Sequence, residues 1–476
     1  MNISMILDMA ASAGDRTVIT VGDRSLTAAA LLGNARRAAV RFQRHPAVLY
    51  LGANHLAYPV ALFGAALAGV PFVPLNYRLG EQQLAMLLER HPGALVLRPD
   101  DLDALVEEGA ADAPELEVPW DGNAVAAIIY TSGTTSEPKA ALLRHRHLMA
   151  YLLNTVEFGG AQETDAALVS VPPYHIAGLT NLLSNLYSGR RVVYLAAFDA
   201  SGWLETVRRE RITHAMLVPT MLARIVAAVD GADAGVPTLV SLAYGGSRTP
   251  RPVLEHALRV FPDTGFVNAY GLTETASSIA VLGPDDHRAA FASDDPAVRD
   301  RLGSVGQPLP GIEIQIRAES GEPTGVGEVG LVFVRGEQIS GEYGGRSALD
   351  AEGWFPTRDL GRLDADGYLF IEGRADDTII RGGENIAPAE IEDVLLEYPG
   401  ITEAAVIGVP DPEWGQRLVA VLVGAGEPDE IKQWVRTRLR SSKTPDTIVF
   451  RRELPKTETG KLLRRNLVTE MENTNA

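Results

Sequence analysis

Ten consecutive residues, Tyr130-Thr131-Ser132-Gly133-Thr134-Thr135-Ser136-Glu137-Pro138-Lys139, combine a run of Ser and Thr hydroxyls with a glycine and a terminal lysine. Backbone N–H groups, hydroxyl donors and one cation in so short a stretch form the inventory needed to grip a polyphosphate. The run is not a Walker A loop. G-x-x-x-x-G-K-[ST] occurs nowhere, and Gly460-Lys461 is followed by Leu462. Taken alone, the same string also reads as a Ser/Thr-rich surface turn.

Other chemistries are excluded by composition or by missing patterns. The chain has no cysteine, which removes disulfides, zinc-thiolate and iron-sulfur sites and a cysteine nucleophile. No G-x-S-x-G marks a serine hydrolase, and no H-E-x-x-H marks a zinc peptidase. The net charge of −18 opposes binding to nucleic acid or anionic membranes. An N-terminus reading MNISMILDMA lacks a basic segment and carries Asp8, so a secretory signal is not expected and a cytoplasmic location is.

The elements that must position the loop can also be read. At ~150 residues per domain, the 476 residues allow two to four domains. β-Branched runs at Val125 to Tyr130, Arg191 to Leu195, Ala215 to Val218, Leu239 to Tyr244 and Gly265 to Ala269 alternate with Ala-rich helical stretches. That alternation predicts an α/β protein whose buried strands place ligands beyond their carboxyl ends. His45 to Tyr77 carries no Asp, Glu, Lys or Arg but is broken by four prolines. Its longest apolar piece free of proline, Val60 to Val70, would rise only ~16 Å as a helix, against a ~30 Å hydrocarbon layer. A core helix followed by a buried strand is predicted there, and no membrane insertion. After Gly373 the composition shifts. Ile431 to Arg465 holds eleven Lys or Arg against three Asp or Glu. With strand-like segments at Glu403 to Val409 and Arg417 to Gly424 and a helix from Pro428 to Arg440, this reads as a small α+β domain. Its basic face is either merely solvated or serves to carry cations to a phosphorylated ligand.

Further motifs follow in order: Tyr270-Gly271-Leu272-Thr273-Glu274, Gly353-Trp354-Phe355-Pro356-Thr357-Arg358-Asp359, Gly373-Arg374-Ala375-Asp376-Asp377, Arg381-Gly382-Gly383-Glu384-Asn385-Ile386 and Pro455-Lys456-Thr457-Glu458-Thr459-Gly460-Lys461. With the hydroxyl-rich loop they resemble the adenylate-forming superfamily of acyl-CoA synthetases, peptide adenylation domains and beetle luciferases. The likeness runs from about Thr27 to Arg465. It implies an α/β fold: a large N-terminal domain of mixed sheets packed with helices over residues 1–373, and a small mobile α+β lid over 374–476.

The resemblance also implies roles at matching positions. Thr131, Ser132, Gly133, Thr134, Thr135 and Lys139 would hold the β and γ phosphates of ATP. Tyr270 and Gly271, with Gly245 and Gly246, would enclose adenine. Thr273 would bond the α-phosphate and Glu274 would hold Mg²⁺, a hard cation suited to carboxylate and phosphate oxygens. Asp359, with Arg374 alongside, would accept the ribose hydroxyls. Lys461 would stabilise charge on the α-phosphate during attack by a carboxylate. Asp376 would be the hinge about which the small domain swings for a second reaction. Gly382 and Gly383 would line the path of the CoA pantetheine arm. His175, in Pro173-Tyr174-His175-Ile176-Ala177-Gly178, would gate or contact the acid, or be structural.

The implied activity converts a carboxylic acid to acyl-AMP with release of pyrophosphate, then to a CoA thioester. Transfer to an acyl carrier protein or another nucleophile is the alternative, and an ATP-binding protein without catalysis is a reading of another class. No Asp lies between Val171 and Leu186 to pair a substrate ammonium, which disfavours an α-amino acid. Arg248 either faces solvent or pairs a second substrate carboxylate. Ser136, Ala140 and Arg358 stand where the superfamily usually has Gly, and their Cβ atoms would strain any positive φ. A homodimer is left open, as is the identity of the acid.

Overall fold

A computed structural model describes residues 1–12, 14–106, 116–117, 120–131, 138–229, 231, 233–381, 384–412, 414–457 and 460–474, and all elements and contacts below concern these residues. Ser132, Gly133, Thr134, Thr135 and Ser136 of the hydroxyl-rich loop lie outside them, as do Gly382 and Gly383.

Two large sheets carry the N-terminal part. The first has nine strands in the spatial order Gln307–Pro308, Ser277–Leu282, Gly265–Leu272, Ser241–Gly245, His214–Leu217, Ala166–Val169, Arg191–Tyr194, Thr17–Val21 and Arg24–Thr27. Pairings from Gly265–Leu272 across to Thr17–Val21 are parallel, and both outer flanks are antiparallel. Leu168, Val192, Leu217, Leu242 and Phe266 are fully buried in it, as near-continuous apolar runs in parallel strands require. The second sheet has seven strands, including Phe72–Pro74, Val125–Thr131, Lys139–Arg144 and Glu342–Tyr343. A four-stranded antiparallel sheet contains Phe355–Leu363 and Leu369–Arg374.

The charge-free segment is resolved as expected. Ala57–Ala68 is a helix buried almost throughout, and it stops at Gly69, whose φ of 70° supplies the left-handed cap. The buried strand Phe72–Pro74 follows. A further strand, Val48–Tyr50, precedes the helix. No described helix is long and apolar enough to cross a membrane.

The small domain is built on the sheet of Ile401–Asp411, Gly415–Gly424 and Thr447–Arg451. Alternate residues face opposite ways, as the period of a strand demands. Leu418, Ala420 and Leu422 pack with Ile391, Leu395, Ile431 and Val435 of helices Pro388–Leu396 and Pro428–Arg438. Ala405, Ile407, Val419 and Val421 pack on the other face with Leu467 and Met471 of the C-terminal helix Arg464–Thr474. Both faces are therefore covered, and the domain has a core of its own.

Candidate active site

The site forms beyond the carboxyl ends of the parallel strands. Strand Gly265–Leu272 leads into the 3-10 turn Thr273–Thr275. Leu272 N donates to Thr275 Oγ1 at 2.9 Å, and that hydroxyl donates to Ser277 O at 2.6 Å, tightening the turn. Ala276 and Ser277 then take φ of 52° and 116°. Two successive non-glycine residues in this region store strain where the turn presents Glu274. Glu274 is buried at 7 % exposure. Its carbonyl accepts from Ser340 N at 2.8 Å and Gly341 N at 3.1 Å, and its Oε1 accepts from the Tyr343 hydroxyl at 2.5 Å.

Asp359 lies on strand Phe355–Leu363 directly opposite Arg374 on the neighbouring strand. It is 5 % exposed, and each oxygen has a donor: Arg374 Nη1 at 2.8 Å to Oδ1, and the Tyr270 hydroxyl at 2.5 Å to Oδ2. Burial raises the Asp359 pKa, while Arg374, Tyr270 and Lys461 oppose that shift. Burial also holds the Tyr270 phenol protonated, so it donates. Each carboxylate oxygen keeps a second acceptor direction, which is what a ribose diol needs.

Lys461 belongs to the small domain, is exposed, and lies within electrostatic reach of Arg374, Asp359 and Glu274. Its N–H donates to Thr457 Oγ1 at 3.0 Å, and its carbonyl accepts from Thr457 N at 2.8 Å. Crowding by protein lowers the pKa of its ammonium first, and Arg374 adds to the effect. Asp377, Asp359 and Glu274 act in the opposite sense. Next to it, Gly460 has φ of 78°, and a Cβ there would lie 2.3 Å from Thr220 Cγ2 of the large domain. The small domain thus abuts the large one at Gly460, the residue before this lysine.

Other expected site residues fall around this centre. Thr131 and Lys139 are partners in the antiparallel pair that forms the neck of the hydroxyl-rich loop. The neck is clamped by Arg90, which donates to Pro138 O at 3.0 Å, and by His91, whose Nε2 lies 2.8 Å from the Tyr130 hydroxyl. Gly245 ends strand Ser241–Gly245, where a Cβ would lie 2.2 Å from Ala269 O, and Gly246 takes φ of 89°. His175 is the N-cap of helix Ile176–Ser188, its ring 4.6 Å from that of Tyr174. Pro172 and Pro173 just before it line a cavity of about 170 Å³ with Tyr77, Arg78, Thr220 and Arg224.

The departures from the superfamily separate. Ala140 sits in regular antiparallel pairing with Tyr130, without positive φ, so its methyl costs nothing. Arg358 has φ of 65°, and its guanidinium lies 3.7 Å from Asp376. Arg248 faces solvent, its side chain 45 % exposed, and there it pairs with Asp393 of the small domain. Tyr343 escaped the sequence reading altogether. The strand that carries it is two residues long and has no period to recognise.

Among the described residues no group of three or more His, Asp or Glu is arranged to hold a metal by itself. One carboxylate, Glu274, together with nucleotide oxygens and water suits Mg²⁺, which keeps several waters and relies on substrate phosphates.

A buried carboxylate with two donors, a second carboxylate on a strained turn and a lysine of the small domain fit the adenylate-forming superfamily that the motifs resemble. Sequence comparison agrees. The chain matches the family described as AMP-binding enzyme over residues 7–343 and its AMP-binding enzyme C-terminal domain over 390–461, and it belongs to that family. It is 36 % identical to a feruloyl-CoA synthase of an Amycolatopsis species, covering 94 % of this chain and 93 % of the relative. It is 33 % identical to a 2-succinylbenzoate–CoA ligase of Bacillus licheniformis, covering 95 % and 96 %. The fold matches o-succinylbenzoate CoA synthetase of Bacillus subtilis, solved with its acyl-adenylate intermediate, with a TM-score of 0.83, 28 % identity and 98 % of each chain covered. Like these relatives, the chain is an AMP-forming acid–thiol ligase.

Proposed function

We propose that the protein activates an aromatic carboxylic acid with MgATP and transfers the acyl group to CoA. The observation that supports the reading is that Asp359 and Glu274, from two separate stretches of the large domain, both lie within electrostatic reach of Lys461 of the small domain. A carboxylate oxygen attacks the α-phosphorus, the bond to the bridging oxygen breaks, and pyrophosphate leaves. The CoA thiolate then attacks the acyl carbon, and AMP leaves with the oxygen that came from the acid.

The chain's own groups fit these steps. Asp359 orients the ribose, with Tyr270 beside the base. Lys461 meets the negative charge that gathers on the α-phosphate as attack proceeds, a preorganised interaction of the kind that dominates such reactions. Glu274 would hold Mg²⁺, which when bound neutralises phosphate charge. Thr131 and Lys139 anchor the loop that grips the outer phosphates. For the second step the small domain, residues 374–476, pivots at Asp376, withdraws Lys461 and presents Gly382 and Gly383 to the pantetheine arm.

The aromatic acid is supported by the names of similar proteins, which include feruloyl-CoA synthase, 2-succinylbenzoate–CoA ligase and indoleacetate–CoA ligase. One relative, 32 % identical, is named a fatty acid–[acyl-carrier-protein] ligase, which keeps a carrier protein as the second reading for the acceptor. A cytoplasmic setting is part of this reading, and a chain without cysteine is compatible with it. Incubation with ATP, Mg²⁺ and a panel of aryl, aliphatic and dicarboxylic acids, with and without CoA, tests the reading. Pyrophosphate release that depends on an aryl acid, with thioester formed when CoA is present, is expected. Release that requires an aliphatic acid, or yields no thioester, overturns the substrate or the acceptor respectively.

A further inference from the structure

We propose that Tyr343 is a positioning residue that sets the orientation of the Glu274 carboxylate toward the metal. The proposal rests on the reading of Glu274 as the Mg²⁺-bearing side chain. Its hydroxyl donates to Glu274 Oε1 at 2.5 Å, while Ser340 N and Gly341 N hold the Glu274 carbonyl at 2.8 and 3.1 Å. Three of the four residues from Ser340 to Tyr343 thus grip residue 274 at both its backbone and its side chain. A carboxylate on a one-turn helix can rotate about its side-chain bonds. With Oε1 fixed by a donor, Oε2 is left with one direction in which to present its lone pairs.

The grip is anchored to the phosphate-loop strand. Tyr343 pairs with Ala141, and Glu342 forms a two-point ion pair with Arg144, at 2.9 Å to Nε and 2.8 Å to Nη2. Glu342 is 14 % exposed and Arg144 27 %, so both side chains are held within the protein. The ring of Tyr343 also lies under the Lys139 ammonium, 5.7 Å from Nζ to the centroid. One aromatic side chain therefore touches both the cation at the end of the phosphate loop and the carboxylate on the facing turn. Ligand-orienting partners outside a metal's own coordination shell typically change its affinity 10- to 100-fold, that is by about one to two decades.

Tyr343→Phe keeps the ring under Lys139 and removes only the hydroxyl. Mn²⁺ serves as the probe, titrated against the full-length protein saturated with α,β-methylene ATP, so that no turnover is needed. Binding of Mn²⁺ should weaken about 10-fold in Tyr343→Phe, while affinity for the nucleotide in EDTA stays unchanged and kcat returns at saturating Mg²⁺. Glu342→Gln should shift Mn²⁺ affinity in the same direction through the loosened Arg144 anchor. In Glu274→Gln, a further Tyr343→Phe should add nothing. Parental Mn²⁺ affinity in both Tyr343→Phe and Glu342→Gln, with weakened affinity in Glu274→Gln, overturns the positioning role. Parental affinity in Glu274→Gln overturns the metal reading itself.

Discussion

Arg248 of the large domain pairs with Asp393 on helix Pro388–Leu396 of the small domain, 145 residues away in sequence. This contact ties the two domains in the arrangement that leaves Lys461 within electrostatic reach of Asp359 and Glu274. It also gives the fold a pH dependence. Burial, with Glu392, Glu372 and Glu397 nearby, raises the Asp393 pKa to about 6, and Arg248 acts against that rise. A carboxyl whose pKa is raised on folding favours the folded state below its ordinary pKa, and that contribution is lost as pH rises through about 6. Asp393→Asn should therefore gain stability relative to the parent as pH increases from 5 to 7.5. The carboxyl keeps part of its surface in water, so the gain should be about 1 kcal/mol or less. Thermal melts at both pH values decide it, and a difference that is flat or reversed in sign counts against the assignment.

Lys461→Ala should slow adenylation by about 10²-fold or more, the usual cost of one preorganised donor to developing charge. Transfer from acyl-AMP supplied ready-made should stay near the parental rate if the lysine serves only the first step, as proposed. Single-turnover measurement of each half-reaction separates the two. Equal losses in both would remove the lysine from its assigned step.

Asp359→Asn replaces an acceptor that is bonded to Arg374 and Tyr270 by a group that also donates. Hydrogen bonds to charged groups contribute about 1.5–3 kcal/mol, so ATP affinity should fall roughly 10- to 100-fold. Affinity for pyrophosphate should not change. Calorimetric titration with each ligand reads the contrast.

Gly460→Ala should hinder closure, since the new Cβ would stand 2.3 Å from Thr220 Cγ2. The positive φ at residue 460 contributes its own cost, about 1–2 kcal/mol. Thr220→Ala in the same chain should recover part of the adenylation rate and leave the backbone share of the loss in place. No recovery would mean that the two residues do not meet during adenylation.

What could be read from sequence were features local in the chain. The helix Ala57–Ala68 showed itself by an apolar run ended by Gly69, and the site motifs by fixed residues within a few positions of one another. Strand existence was legible, but strand ends were not. Glu403 to Val409 proved to be Ile401–Asp411, because sheet pairing with Gly415–Gly424 extends the strand past its apolar centre. Contacts that join distant segments left no local mark. Tyr343 meets Glu274 across 69 residues and Glu342 meets Arg144 across 198, both through a two-residue strand whose side chains follow no period. The pairing of Arg248 with Asp393 across 145 residues left no such mark either.

The acid's own oxygen provides the most direct test of acyl-AMP chemistry. With an ¹⁸O-labelled carboxylic acid, unlabelled ATP and CoA, mass spectrometry of the nucleotide product should show AMP carrying a single ¹⁸O and pyrophosphate carrying none. Label in inorganic phosphate, or ADP in place of AMP, would contradict attack of the acid on the α-phosphorus.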